Sequence, residues 1–354
     1  METNLEQLVC AARGGGPTAL RAAARLMSIM TDQPQRLAEL LAGSRDWPQP
    51  RLVLGVTGAP GSGKSTLVDH LATELRSRYP DRKLGIVAVD PSSPFTGGAL
   101  LGDRVRMMRH ATDPGVFIRS LASRGHLGGL ALGAKGVVRV MGLAGCDIVI
   151  VETVGVGQSE VEIARNADLV VVVLAPGQGD SVQMLKAGLM EVGELFVVNK
   201  ADRPESAQLQ QQLLAALETS RLAQLDLAHP IGAATSCGEA IQDDGTFGSG
   251  GELPVFLCSA ANHQGIPELI DELERITEQK SNEWRSRRDS QALEEIRQAV
   301  LEEIRHRVCE VIGTIGKATA RTRSILDGSE SLAHLVDDVL RETASRSDRE
   351  DSQP

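Results

Sequence analysis

The chain has 354 residues, room for one large domain or two to three ordinary ones, and its 42% hydrophobic and 24% charged residues are the balance of a globular protein. Aromatics make up only 2% and the net charge is −10, so there are few rings to stack bases and no excess of cations for phosphate backbones, which argues against nucleic acid as a partner. The five cysteines (Cys10, Cys146, Cys237, Cys258, Cys309) are scattered and none forms Cys-x-x-Cys, a pattern of free thiols in a reducing compartment and not of a disulfide or zinc framework.

The chain opens with "METNLEQLVC", which lacks the basic segment and apolar core of a signal peptide. No run of 18 uncharged apolar residues occurs, so no membrane-spanning helix and a cytoplasmic location are expected. Residues 1–50 read as a helical N-terminal extension: Leu5, Leu8, Leu20 and Leu26 stand at helical spacings, interrupted by "GGGP" at 14–17. "PQRLAELLAG" adds a short helix stopped by Gly43, and "WPQP" (47–50) marks a boundary.

From 51 to 278 strands alternate with helices. The predicted strands are "RLVLGVTG", "KLGIVAVD", "GVFIRS", "DIVIVE", "ADLVVVVLA", "ELFVVNK" and "LPVFLCSA". Several are unbroken apolar runs, as expected when both faces of a strand are covered. The expectation is an α/β fold, a doubly wound and mostly parallel sheet of the P-loop NTPase type. "GEAIQDDGTFGSGGE" (238–252) reads as a Gly-rich loop. Residues 279–345 are helical and charged, with Leu293, Ile296, Val300, Ile304, Val308 and Val311 in one apolar stripe. That stripe suits a helix packed on its own domain or a dimerisation arm. The tail 346–354 reads as disordered.

"GAPGSGKST" fits Gly-x-x-x-x-Gly-Lys-Ser, after a strand and before the helix "STLVDHLATELRSR". Gly58, Ala59, Pro60, Gly61, Ser62 and Gly63 form a loop whose amides can wrap phosphates. Lys64 adds a positive charge, and Ser65 and Thr66 open the helix, whose N-terminus favours anions. Ser65 offers a hydroxyl to Mg²⁺, which demands hard oxygen ligands. Acids at strand ends can supply the rest: Asp90 ends "GIVAVD", Asp103 lies in "LGDRVRM", and Glu152 ends "DIVIVE" three residues before Gly155. Glu152 stands where many such sites carry Asp, and its extra methylene lets it reach the metal from a slightly different backbone position.

"NKAD" (199–202) follows the sixth predicted strand. Asp202 can accept from the guanine N1–H and 2-amino group, which adenine does not offer, and Asn199 can address the O6/N7 edge while Lys200 packs on the ring. "CSAAN" (258–262) adds a backbone contact near O6 through Ser259 and Ala260. The expected ligands are GTP and GDP with Mg²⁺. Lys64 and Mg²⁺ can neutralise charge during phosphoryl transfer. Gln158 can orient the attacking water or make a switch-loop hydrogen bond; Arg104 and Arg106 can reach phosphate or a partner.

These motifs in this order, with "VDPSSPFTGGALLGDRVRM" (89–107) and "ETVGVGQSE" (152–160), closely resemble the MeaB/ArgK family of P-loop GTPases, which includes the human methylmalonic aciduria type A protein. The resemblance covers about residues 15 to 275 and implies a GTP hydrolase, slow alone, that is stimulated by its partner. The implied partner is an adenosylcobalamin-dependent acyl-CoA mutase, methylmalonyl-CoA mutase first among them. The implied role is a chaperone that gates cofactor delivery and protects or reactivates the mutase, working as a homodimer. It implies magnesium ligands at Ser65, Asp90, Asp103 and Glu152, switches at 91–107 and 153–163, and an additional mobile segment at 175–194. Residues 223–252 depart from the family, and the C-terminal helices match it by character more than by letters. Two other readings share the P-loop. A metallochaperone GTPase for a nickel enzyme carries Cys-Pro-Cys or a His-rich run, whereas here the seven His are dispersed and His110 and His126 read as ordinary loop or helix residues. A small-molecule kinase is the third.

Overall fold

A computed structural model describes residues 5–14, 16–32, 40, 43–44, 46–90, 108–110, 112–122, 127–153, 167–177, 193–227 and 253–314. These fall into two compact units, residues 1–47 with 286–354, and residues 48–285.

The first unit contains α1 (Leu5–Arg13) and α2 (Gly16–Asp32), packed on each other. They break where "GGGP" predicts, and Gly16 starts α2 at φ 80°, a left-handed angle that glycine adopts without cost. The buried stripe of α2 runs through Ala19, Ala22, Ala23, Leu26, Met27 and Met30. Leu20 is not part of it and is 37% exposed, because small Ala side chains take the inward positions that the leucine spacing suggested. The short helix predicted at 34–43 lies mostly outside the described residues.

The second unit is built on seven parallel strands: β1 (Leu52–Gly58), β2 (Lys83–Asp90), β3 (Val116–Ala122), β4 (Cys146–Glu152), β5 (Leu169–Leu174), β6 (Leu195–Val198) and β7 (Val255–Leu257), in the order β3-β2-β4-β1-β5-β6-β7. Every one of the seven predicted strands is present. β1 and β5 are buried along their whole length, which is why they read as unbroken runs of Leu and Val. The helices are α3 (Lys64–Arg78), α4 (Leu127–Leu143), α5 (Glu205–Leu227) and α6 (Ile266–Thr314), whose residues from Ser286 onward belong to the first unit. Leu67, Val68, Leu71 and Leu75 of α3 join Leu54, Val56, Ile86, Ile150 and Val171 of the sheet in one core, with Ile266, Leu269, Ile270 and Trp284 of α6.

β1 leads through α3 to β2 on one side, while β4 leads to β5 on the other. The chain therefore switches direction at β1 and β4, and such crevices beyond the strand C-termini are where open α/β sheets bind ligands. In α6 the predicted apolar stripe includes Val300, which is 44% exposed. The loop 238–252 and the tail 346–354 lie outside the described residues.

Candidate active site

β1 ends at Gly58 and α3 begins at Lys64, so the loop between them is five residues long and sits over the sheet's C-terminal edge. Gly63 has φ 91°. A Cβ added there would fall 2.3 Å from Asn199 Nδ2, and one on Gly58 would fall 2.1 Å from the Val173 carbonyl oxygen. These two positions thus need glycine for close approach, one to the base-reading segment and one to β5. Lys64 is 6% exposed and its Nζ donates to the carbonyls of Gly58 (2.7 Å) and Ala59 (3.0 Å). No side chain caps α3, so the first-turn amides keep the partial positive charge that draws phosphate. The Ser62 hydroxyl is buried and has no hydrogen-bond partner among the described residues, an unmade bond of the kind proteins keep at binding sites. Thr66, Pro60 and Gly61 are exposed along the rim.

Glu152 stands opposite Val56 of β1 and Ala88 of β2. From there Oε1 accepts from Ser65 Oγ at 2.6 Å, and both side chains are buried. A hydroxyl and a carboxylate in contact beside the phosphate cradle are the hard donors that fit Mg²⁺. Asp90 ends β2 two residues beyond the partner of Glu152, on the same edge of the sheet. Asp103, Gly155, Gln158, Arg104, Arg106 and His126 lie outside the described residues, as do 91–107, nearly all of 153–163 and most of 175–194. Thr153 is described: its Oγ1 donates to Thr57 Oγ1 (3.1 Å) behind the loop.

The predicted base-reading segment, 199–202, follows β6. Asn199 is buried, and its amide is fully spanned by backbone: Nδ2 donates to the Ser62 carbonyl (2.9 Å), while Oδ1 accepts from Lys200 N (2.8 Å) and Ala260 N (3.2 Å). Lys200 adopts φ 61° and its Nζ donates to the Gly61 carbonyl at 2.8 Å. Asp202 is exposed, and its Oδ1 accepts from the buried Ser259 hydroxyl at 2.6 Å. That hydrogen bond, above all, holds its carboxyl below the usual carboxylate range. Ala201 N donates to Cys258 O (3.0 Å), locking the segment to the loop that follows β7 and carries Ser259. The structure thus brings together Gly58 to Thr66, Glu152, Asn199, Lys200, Asp202, Ser259 and Ala260 at one edge of the sheet.

Sequence reasoning missed two things. It assigned Asn199 and Lys200 to the base, whereas here both side chains also bolt the reading segment to the phosphate loop. It also read His110 as an ordinary residue. His110 is buried with Nε2 3.0 Å from Asp69 Oδ1, and Arg109 pairs with the same carboxylate, so the turn after the predicted first switch is fastened to α3. No local signal joins residues 41 apart.

A family profile described as Methylmalonyl Co-A mutase-associated GTPase MeaB matches residues 26–312. A Pyrococcus abyssi protein bearing a GTPase name is 41% identical over 282 residues, 79% of this chain and 80% of the relative. The Caenorhabditis elegans protein named methylmalonic aciduria type A homolog, mitochondrial, is 38% identical over 180 residues, 50% of this chain and 45% of the relative. A solved structure titled LAO/AO transport system kinase superposes with a TM-score of 0.60 at 25% identity, covering 98% of each chain. The chain is a GTP hydrolase and belongs to the methylmalonyl-CoA mutase-associated GTPase family, MeaB.

Proposed function

We propose that this GTPase works with Mg²⁺ as a chaperone of an adenosylcobalamin-dependent acyl-CoA mutase, gating cofactor delivery and protecting or reactivating the enzyme. The observation that supports the reading is the buried Ser65–Glu152 contact beside the loop 58–64 and the segment 199–202. The family description names methylmalonyl-CoA mutase, which supports that mutase as the partner. A cytoplasmic homodimer is part of the same proposal; no described helix is long and apolar enough to cross a membrane.

In this reading Lys64 leaves its two carbonyl partners for the β and γ phosphates, and the α3 amides bind the anion. Ser65, Glu152, Asp90 and Asp103 would hold Mg²⁺, which when bound supplies charge neutralisation between the phosphates. Asp202 and Asn199 select guanine. Gln158 orients water only once the partner docks, which makes turnover slow in its absence. The test is GTP turnover by the purified protein, alone and with the cognate mutase, with ATP as control. Slow GTP hydrolysis that rises with the mutase and vanishes in Lys64→Ala is expected. Turnover indifferent to every such mutase would overturn the chaperone role, and normal turnover in Lys64→Ala would overturn the site.

A further inference from the structure

His70 and His263 are 193 residues apart in sequence and meet in space. His70 stands on α3, the phosphate-loop helix. His263 follows the Ser259–Ala260 loop and takes φ 57°, a left-handed angle. The two Nδ1 atoms are 3.4 Å apart, with ring centroids 5.6 Å apart and planes tilted by 53°. On its far side His263 Nε2 lies 3.1 Å from Glu74 Oε2. Glu74 is itself held by Arg78 at 2.7 Å, and Arg78 also reaches Asp271. A carboxylate only accepts hydrogen bonds, so Glu74 draws the proton of neutral His263 to Nε2 and leaves Nδ1 as a bare lone pair directed at His70.

We infer that His70 and His263 form a two-histidine site for a borderline divalent cation of the zinc, cobalt and nickel class, and that the cation staples the Ser259–Ala260 loop to α3. Tetrahedral zinc with metal–nitrogen bonds of about 2.0–2.1 Å sets two ligand nitrogens about 3.3–3.4 Å apart, the spacing these rings already have. A carboxylate on the outer nitrogen is the arrangement that orients ligating histidines. Without metal the same gap is bridged by one N–H···N contact. When metal enters, His70 shifts its single proton from Nδ1 to Nε2, so two neutral rings face the ion with no net proton released.

Among the described residues no third His, Cys, Asp or Glu joins the pair, so water completes the coordination. The His263 side chain is 42% exposed, which leaves room for it. Imidazole nitrogen selects borderline metals and the Ser65–Glu152 oxygens suit Mg²⁺, so the two sites take different ions. The staple has a consequence at the nucleotide. It joins the loop whose Ser259 holds Asp202 to the helix that carries Lys64 and Ser65. Metal and guanine nucleotide therefore strengthen each other's binding by one common factor. This coupling rests on the guanine-nucleotide reading, whereas the metal site does not.

The experiment titrates tag-free, nucleotide-free protein in Mg²⁺ buffer with Zn²⁺ by calorimetry and with Co²⁺ by visible absorption. One ion per chain at submillimolar concentration is expected, with the intense cobalt bands of a tetrahedral site. Binding is lost in His70→Asn and in His263→Asn, and weakens about tenfold in Glu74→Gln. Thermal melting without metal checks that each variant is folded. Absence of saturable binding, or binding that survives both histidine variants, would overturn the site. In a second arm, Zn²⁺ slows dissociation of a fluorescent GDP about fivefold in the parent protein and not in the variants. An unchanged rate with zinc bound would remove the staple and leave the site. Should the protein bind no GDP at all, the nucleotide reading fails while the zinc titration still decides the metal site.

Discussion

Gly63→Ala tests whether the phosphate loop and the base reader are one mechanical object. Two effects add. A non-glycine residue at φ 91° is strained by about 1–2 kcal/mol. The new methyl would also meet Asn199 Nδ2 at 2.3 Å, so Asn199 has to leave its bonds to Ser62 O and Ala260 N. Two hydrogen bonds at about 1 kcal/mol each bring the sum to about 3–4 kcal/mol. Fully expressed in nucleotide affinity, that is a loss of about 10²- to 10³-fold. Fluorescent GDP titration measures it, and melting of the nucleotide-free protein shows how much of the cost falls on folding. An Asn199→Ala background separates the two effects. No amide remains to be struck there, so adding Gly63→Ala costs only the strain, about tenfold. A Gly63→Ala protein that melts normally and binds GDP within a few-fold of the parent would refute the reasoning. So would a penalty that is the same in both backgrounds.

Other outcomes follow from the same geometry. Asp202→Asn keeps an oxygen for the Ser259 hydroxyl but sets an amino donor against the guanine donors; GDP affinity falls about 10- to 100-fold, the worth of a charge-assisted hydrogen bond, and xanthine nucleotides, with oxygen at C2, gain. Competition binding with both nucleotides checks it, and unchanged preference would disprove the assignment. Burial pushes the Cys146 and Cys258 thiols up to about 12, so neither is alkylated in native protein at pH 8 while exposed Cys10 is; mass spectrometry residue by residue reads this. The Arg76 guanidinium, foremost, holds the Asp113 carboxyl below its usual 3.8. A depressed folded pKa contributes stability above the unfolded value and loses it as pH falls through the folded one. Arg76→Leu therefore flattens the stability profile below about pH 4 in acid-melting experiments.

β1, β4, β5 and β6 were legible because apolar runs covered on both faces have no polar alternation to hide them, whereas the half-buried β3 and β7 were read from their place between turn signals. That residues 58–66, Glu152 and "NKAD" gather at one edge of the sheet was legible because each follows the C-terminal end of a predicted strand. What the sequence withheld is contact at long range. Nothing in "NKAD" says that Lys200 reaches Gly61 or that Asn199 reaches Ser62, 139 and 137 residues away. His110 looked ordinary because its partner Asp69 lies on another element, and its burial depends on how that turn packs on α3. Leu20 misled because helical spacing alone gives the same score to a leucine stripe and to the alanine stripe beside it.

The bolts between Asn199, Lys200 and the phosphate loop bear on how a spent nucleotide gets out. In the proposed binding mode GDP is a ditopic ligand, gripped at the base and at the phosphates by parts of a single block. With both grips fixed relative to each other, binding one end raises the local concentration of the other, and neither lets go alone for long. The seam along Ser62 and Gly61 is then the natural point of attack for any exchange factor. A wedge that parts it spoils both grips in one stroke, with no need to touch the nucleotide.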